Sequence, residues 1–325
     1  MATLAAQSRH SLGRGLADGH PVLVLGSREA GLRATVASRL GMVVCSLRHR
    51  GEELLGLRGG VGAYAARGAT MGVPLLYPWA NRLAAPGYRF GGHDVALDAG
   101  TPRDEHGLPI HGLLAAVRGW TPTGCGAGER GAWAEAVLDA ASREDVLARF
   151  PFPHVASVRV TLRDAKLTIE TTIRPAGAVA VPVSFGYHPY LRLPGVPRHD
   201  WEIEAPVTRR LRLDAQSIPT GESDPVRPVR GRLGRRRFDD GYVVADGGRP
   251  FALTGSGRRI EVAFEAGYPY AQLFAPCDDD VICFEPMTAP TNALRSCPQS
   301  VEPGGSYRAR FSITVAEVDA AAARR

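Results

Sequence analysis

Residues 281–285 read Val-Ile-Cys-Phe-Glu, an apolar run that ends in a carboxylate. Set between the acidic turn 278–280 and Pro286, the run predicts a buried strand. A carboxylate there either reaches water at the strand end or is paired or used, because burying it alone is costly. Four other segments place one polar group in an apolar or aromatic setting. Arg82 lies in GVPLLYPWANRL (72–83), His111 in GLPIHGLL (107–114) and His188, between two tyrosines, in SFGYHPYLRL (184–193); an aspartate pair lies in FDDGY (238–242). A carboxylate and an imidazole suit general acid–base work, because both can be tuned to act near neutral pH. An apolar setting raises the carboxyl pKa and makes the ionised form a better base. Each segment also has a structural reading: a satisfied core histidine, a loop-bracing arginine or a turn-starting aspartate.

Other motifs carry less. Gly60-Val61-Gly62-Ala63-Tyr64-Ala65 fits G-x-G-x-x-A, but Pro74 and Pro78 follow it and no helical period does, so no dinucleotide cofactor is expected. Gly255-Ser256-Gly257 lacks the flanking spacing of a nucleophile elbow and reads as a turn. Asp278-Asp279-Asp280 lacks the spaced ligands of a calcium loop and reads as a solvated turn. Cysteines at 45, 125, 277, 283 and 297 are odd in number and form no Cys-x-x-Cys. That pattern suggests neither a disulfide framework nor a metal site, and points to a reduced, cytoplasmic protein.

The elements that must position these residues are strands. In 307–315, Tyr307, Ala309, Phe311, Ile313 and Val315 alternate with Arg308, Arg310, Ser312 and Thr314. Residues 155–174 read as a hairpin turning near Asp164-Ala165, and 88–97 as another turning at Gly91-Gly92. Further strands are expected at 21–25, 42–47, 133–138, 201–205, 251–254, 259–265 and 270–274. The best helical segment is Ser142 to Arg149, with Ser142 as its N-cap. With 38 Gly and 25 Pro as punctuation, the chain reads as all-β: one large antiparallel β-sandwich over 19–318, with a flexible N-terminal tail at 1–18 and a C-terminal tail at 319–325.

Composition excludes little else. The chain has 325 residues, 44% apolar and 22% charged, and no stretch approaches the roughly 18–20 apolar residues of a membrane span. The net charge of +6 rests on 38 arginines and a single lysine, Lys166. That bias looks genome-wide, so no nucleic-acid partner is inferred. The densest basic patch, 227–237, reads as a solvated face.

Together and in this order, the PW-x-NR, His-Gly-Leu, His-Pro-Tyr, Phe-Asp-Asp and Glu-Pro-Met-Thr segments resemble the aldose 1-epimerase (galactose mutarotase) family over roughly residues 20–318. The resemblance implies a mutarotase-like supersandwich, a monosaccharide substrate, no membrane partner, and neither cofactor nor metal. The implied reaction interconverts α and β anomers of a free aldose by ring opening and closure. One group removes the anomeric hydroxyl proton while another protonates the ring oxygen. The resemblance makes Glu285 the base, His188 the acid and His111 a stabiliser of developing charge, with Arg82 and Asp239 binding sugar hydroxyls beside Asn81. Trp79 and Tyr187 are expected to pack on sugar C–H faces.

The sequence departs from the family pattern where His188 is followed by Pro-Tyr-Leu-Arg-Leu. It departs again where Asp239 is followed by Asp240, which leaves the choice of aspartate open. A hexose-6-phosphate 1-epimerase, using Arg192 or the 227–237 patch for phosphate, and a non-catalytic sugar binder are the alternatives. Oligomeric state is not addressed by these motifs.

Overall fold

The computed structural model of the chain describes residues 8–113, 119–245, 247–296 and 298–318. Leu114, Cys297 and residues 1–7 and 319–325, including the expected C-terminal tail, lie outside the described residues. Every strand pairing in it is antiparallel. A nine-stranded sheet runs in the order 229–232, 202–205, 251–255, 258–266, 307–317, 166–175, 154–163, 131–139, 121–128. An eight-stranded sheet runs 219–225, 207–213, 238–244, 270–275, 282–287, 186–187, 75–76, with 190–191 also paired to 282–287. A five-stranded meander spans residues 10–53.

Period-two alternation explains how the layers join. Val158, Val160 and Leu162 point inward from one strand, and Ile169, then Phe311 and Ile313, then Val262 from the next three strands of the sheet. They meet Leu273, Ile282 and Phe284 of the eight-stranded sheet in a single apolar cluster. That is the packing of a β-sandwich.

The predicted hairpins form as His154–Arg163 with Lys166–Pro175 and as Gly87–Phe90 with His93–Ala96. All the other expected strands are present. Four expectations change. Residues His10–Ala17, expected in the tail, are a strand paired along its whole length with His20–Ser27. Gly60–Arg67, where no helical period was read, is a helix that buries Val61 and Tyr64 and closes on Gly68. The Asp18 carboxylate accepts the Gly62 N–H at 3.0 Å, and a Cβ at Gly60 would lie 2.6 Å from it. These glycines therefore admit a carboxylate, beside an antiparallel sheet rather than in a βαβ unit. Between 140 and 147 there are two short helical turns, and Asp139, not Ser142, caps the first. Finally, Ile282–Met287 runs on through Pro286, which lies opposite Ala271, so Glu285 sits inside the strand and not at its end.

No helix among the described residues is long and apolar enough to cross a membrane.

Candidate active site

The alternation that sends Ile282 and Phe284 into the core sends Cys283, Glu285 and Met287 to the opposite face of the sheet. Register then sets their neighbours. Glu285 pairs with Gln272, which pairs with Gly241; Cys283 pairs with Phe274, which pairs with Asp239. Asp239, Gln272 and Glu285 thus share one face of three adjacent strands, and Gln272 donates to Asp239 Oδ1 at 2.8 Å. Asp240 lies on the other face, where it accepts two bonds from Arg210 at 3.0 and 2.6 Å. By register Asp239 lies on the same face as Glu285 and Asp240 on the opposite one.

His188 follows the two-residue strand Gly186–Tyr187 and places Nε2 3.3 Å from Glu285 Oε1. Both are buried, at 5% and 1% exposure. Tyr190, two residues on, stacks on the His188 ring at 4.2 Å and 11°, and Phe274 meets it edge-on at 5.5 Å. The Tyr190 hydroxyl bonds Thr70 Oγ1 at 2.6 Å and accepts from Arg58 at 3.2 Å.

The remaining groups come from two irregular segments laid side by side. Tyr77 and Gly112 form one bridge, Arg82 and Ile110 another, and the His111 N–H donates to Asn81 O at 3.0 Å. Asn81 and His111 adopt positive φ, 58° and 61°, a conformation that survives only when the surroundings hold it. Gly112 at φ 75° is required by contact as well. A Cβ there would lie 2.2 Å from Tyr77 O. The result puts the His111 ring edge-on to His188, with centroids 5.7 Å apart. Arg82 is 6% exposed. Its Nε donates to Asp104 at 2.6 Å and its Nη1 to Asn81 Oδ1 at 3.3 Å, while Nη2 lies 3.7 Å from Asp239.

Electrostatics single out the same groups. Burial, reinforced by the Asp239 charge and offset by Arg82, holds the Glu285 carboxyl well above its usual range. Burial pushes His188 well below an ordinary imidazole, with His111 and Arg58 adding to it. Burial, then Arg82, lowers His111 to about 4. Glu285 Oε2, His188 Nδ1 and His111 Nδ1 are buried with no protein partner. Polar atoms in that condition ordinarily find partners, and three of them close together make this the candidate site.

Two expected residues are elsewhere. Trp79 is fully buried in the main core beside Tyr88, and Tyr187 is buried against Phe311 with its hydroxyl on Thr171. The reason is alternation: Tyr187 and His188 are adjacent in an extended segment and face opposite ways. Sequence reading missed Gln272, Asp104 and Tyr190. The first shows itself only through register, and the second only through the loop that carries it. The third is the residue two after His188, the spacing that puts two side chains on one face. The 227–237 patch lies at the edge strand Val229–Arg232 of the nine-stranded sheet, not on the sheet that carries Glu285.

Comparison with known proteins gives a family and a fold. The family model for aldose 1-epimerase matches residues 23–314. The uncharacterized protein YihR of Escherichia coli K12 is 25% identical over 258 residues, covering 74% of this chain and 77% of its own. A galactose mutarotase-like protein of Clostridium acetobutylicum superposes with a TM-score of 0.82 at 16% identity, covering 95% of this chain and 99% of that one. Galactose 1-epimerase of Lactobacillus acidophilus gives 0.76 at 15% identity, covering 96% and 100%. At such identities the two structures speak to the fold alone.

Proposed function

Because the chain belongs to the aldose 1-epimerase family, we propose that it interconverts the α and β anomers of a free aldose, with Glu285 and His188 as the acid–base pair. The observation that carries this reading is the buried Glu285 carboxyl, 3.3 Å from His188 and with one oxygen unpartnered.

The pair is best regarded as holding one proton between two coupled sites. With the proton on His188, Glu285 is a carboxylate that takes the proton from the anomeric hydroxyl. His188 then gives its proton to the ring oxygen as the C1–O5 bond breaks and the C1 carbonyl forms. This leaves Glu285 protonated and His188 neutral, the forms that burial favours. After rotation about C1–C2, Glu285 returns its proton to the carbonyl oxygen. His188 takes the C5 hydroxyl proton as that oxygen attacks C1, so the atoms and protons balance. His111, held neutral, donates or accepts a hydrogen bond without adding charge. Arg82 and Asp239 offer a donor and an acceptor to neighbouring sugar hydroxyls.

A second reading, an aldose carrying an anionic group, is favoured by one observation. Arg58 lies over Tyr190, the residue stacked on His188, with its guanidinium 5.2 Å from the ring centroid. Polarimetry on freshly dissolved α-glucose, α-galactose and α-glucose 6-phosphate separates the readings. Acceleration over the spontaneous rate with a free sugar supports the first, and acceleration only with the phosphosugar the second. Binding without acceleration of any of them would sink both and leave a sugar-binding protein.

A further inference from the structure

Asp104 lies in the loop between Arg82 and His111, with its side chain 1% exposed. Its two oxygens do different work. Oδ2 accepts the Nε–H of Arg82 at 2.6 Å. Oδ1 accepts the backbone N–H groups of His106 at 2.9 Å and Leu108 at 2.8 Å. Those bonds fold 104–108 into a turn, closed as well by the Asp104 N–H on Leu108 O at 2.9 Å. The turn delivers the chain to Pro109, whose carbonyl accepts the Leu83 N–H at 2.8 Å, and then to His111. One buried carboxylate therefore ties the Arg82 side chain to the backbone that bears His111.

We propose that Asp104 is a positioning residue that aims Arg82 at substrate hydroxyls, an inference that rests on the reading of Arg82 as a sugar ligand. A free arginine side chain has many rotamers. Here Nε is fixed by Asp104 and Nη1 by Asn81, so the Nη2 edge turns toward Asp239. The other group near Nη2 is Glu105, 3.4 Å away and 68% exposed, which a sugar hydroxyl can displace. The planar guanidinium fork makes this arrangement directional, since fixing two of its nitrogens fixes the third.

Asp104→Asn separates the two roles of the carboxylate. The amide oxygen still accepts the His106 and Leu108 N–H groups, but its NH2 then faces Arg82 Nε, donor against donor. The turn is kept and the guanidinium loses its anchor. The expected result is a KM raised about tenfold, the scale of a lost charge-assisted hydrogen bond, with kcat within about twofold and Tm lowered less than in Asp104→Ala. Adding Arg82→Gln to Asp104→Asn costs little more than Arg82→Gln alone. Asp104→Ala, which also loses the turn, lowers Tm.

The Arg82 Nε–H resonance in a proton–nitrogen spectrum gives a readout apart from turnover. It is protected from solvent exchange in the wild type and unprotected in Asp104→Asn. Unchanged KM with unchanged protection overturns the inference, as does an equal fall of kcat and Tm in both Asp104 variants. A wild type that accelerates no anomer exchange overturns the proposed function instead, and the Nε–H comparison still decides whether Asp104 anchors Arg82.

Discussion

Replacing Gly112 by alanine tests how rigidly the fold holds His111. Two terms add. An L-residue at φ 75° costs about 1–2 kcal/mol through its left-handed conformation. The new Cβ would also lie 2.2 Å from Tyr77 O and 2.4 Å from Tyr77 C, both backbone atoms that cannot rotate aside. Relieving that overlap adds about 1–3 kcal/mol, the scale of overpacking a filled interior. It also pushes the 110–113 turn by roughly 1 Å, and a displacement of that size at a catalytic group is worth about 10²-fold in rate. Gly195 supplies the control, with φ 73° and nothing within 4 Å of an added Cβ. Gly195→Ala pays only the conformational term and keeps full activity. The assay is urea unfolding of both variants, with anomer exchange followed by polarimetry. Equal destabilisation and equal activity in the two variants would refute the contact argument.

Other predictions follow from the same geometry. Asp239→Asn raises KM about tenfold and, by removing the charge that raises Glu285, moves the alkaline limb of the kcat/KM profile, where the pair loses its shared proton, to lower pH. Asp240→Asn, which loses only a pairing with the half-exposed Arg210, leaves both kinetic constants within about twofold. Tyr187→Phe removes the buried bond to Thr171 and destabilises by about 1–2 kcal/mol, measured by urea unfolding, with kcat/KM unchanged. The depressed histidines give stability a slope with pH. Below about pH 6.5 the unfolded chain binds protons at His111 that the folded chain refuses until about pH 4. Stability from this group is therefore present above pH 6.5 and is lost as pH falls toward 4. Urea midpoints at pH 5 and 7.5 should differ less in His111→Asn than in the wild type.

Strands that alternate strictly were legible from sequence because one face is buried and the other is not. Several that were missed break that rule for physical reasons. Val207–Leu213, one strand in from the edge of its sheet, and Val229–Arg232, at the edge of its own, carry exposed arginines, so charge hides the pattern. Thr121–Gly128 is glycine-rich because Trp133 lies over it; a Cβ at Gly124 would sit 2.7 Å from that indole, which is itself capped by Arg159 at 3.9 Å. The polar residues of the site were legible because each is isolated in apolar surroundings. Tyr187 was misplaced because adjacency in sequence means opposite faces in an extended segment, here opposite to His188. Gln272 and Asp104 depend on pairing across strands and on loop folding, which spacing along the chain does not encode.

The central claim is that Glu285 and His188 act as one proton-exchanging unit. The most direct test is the rate of anomer exchange, by proton NMR at equilibrium, for wild type, Glu285→Gln, His188→Asn and the double variant, with sugar affinity measured in parallel. The account predicts that each single variant loses at least about 10²-fold in rate while still binding sugar. It also predicts that the double variant is little worse than the poorer single one. Wild-type exchange retained in either single variant, or losses that simply multiply in the double, would contradict it.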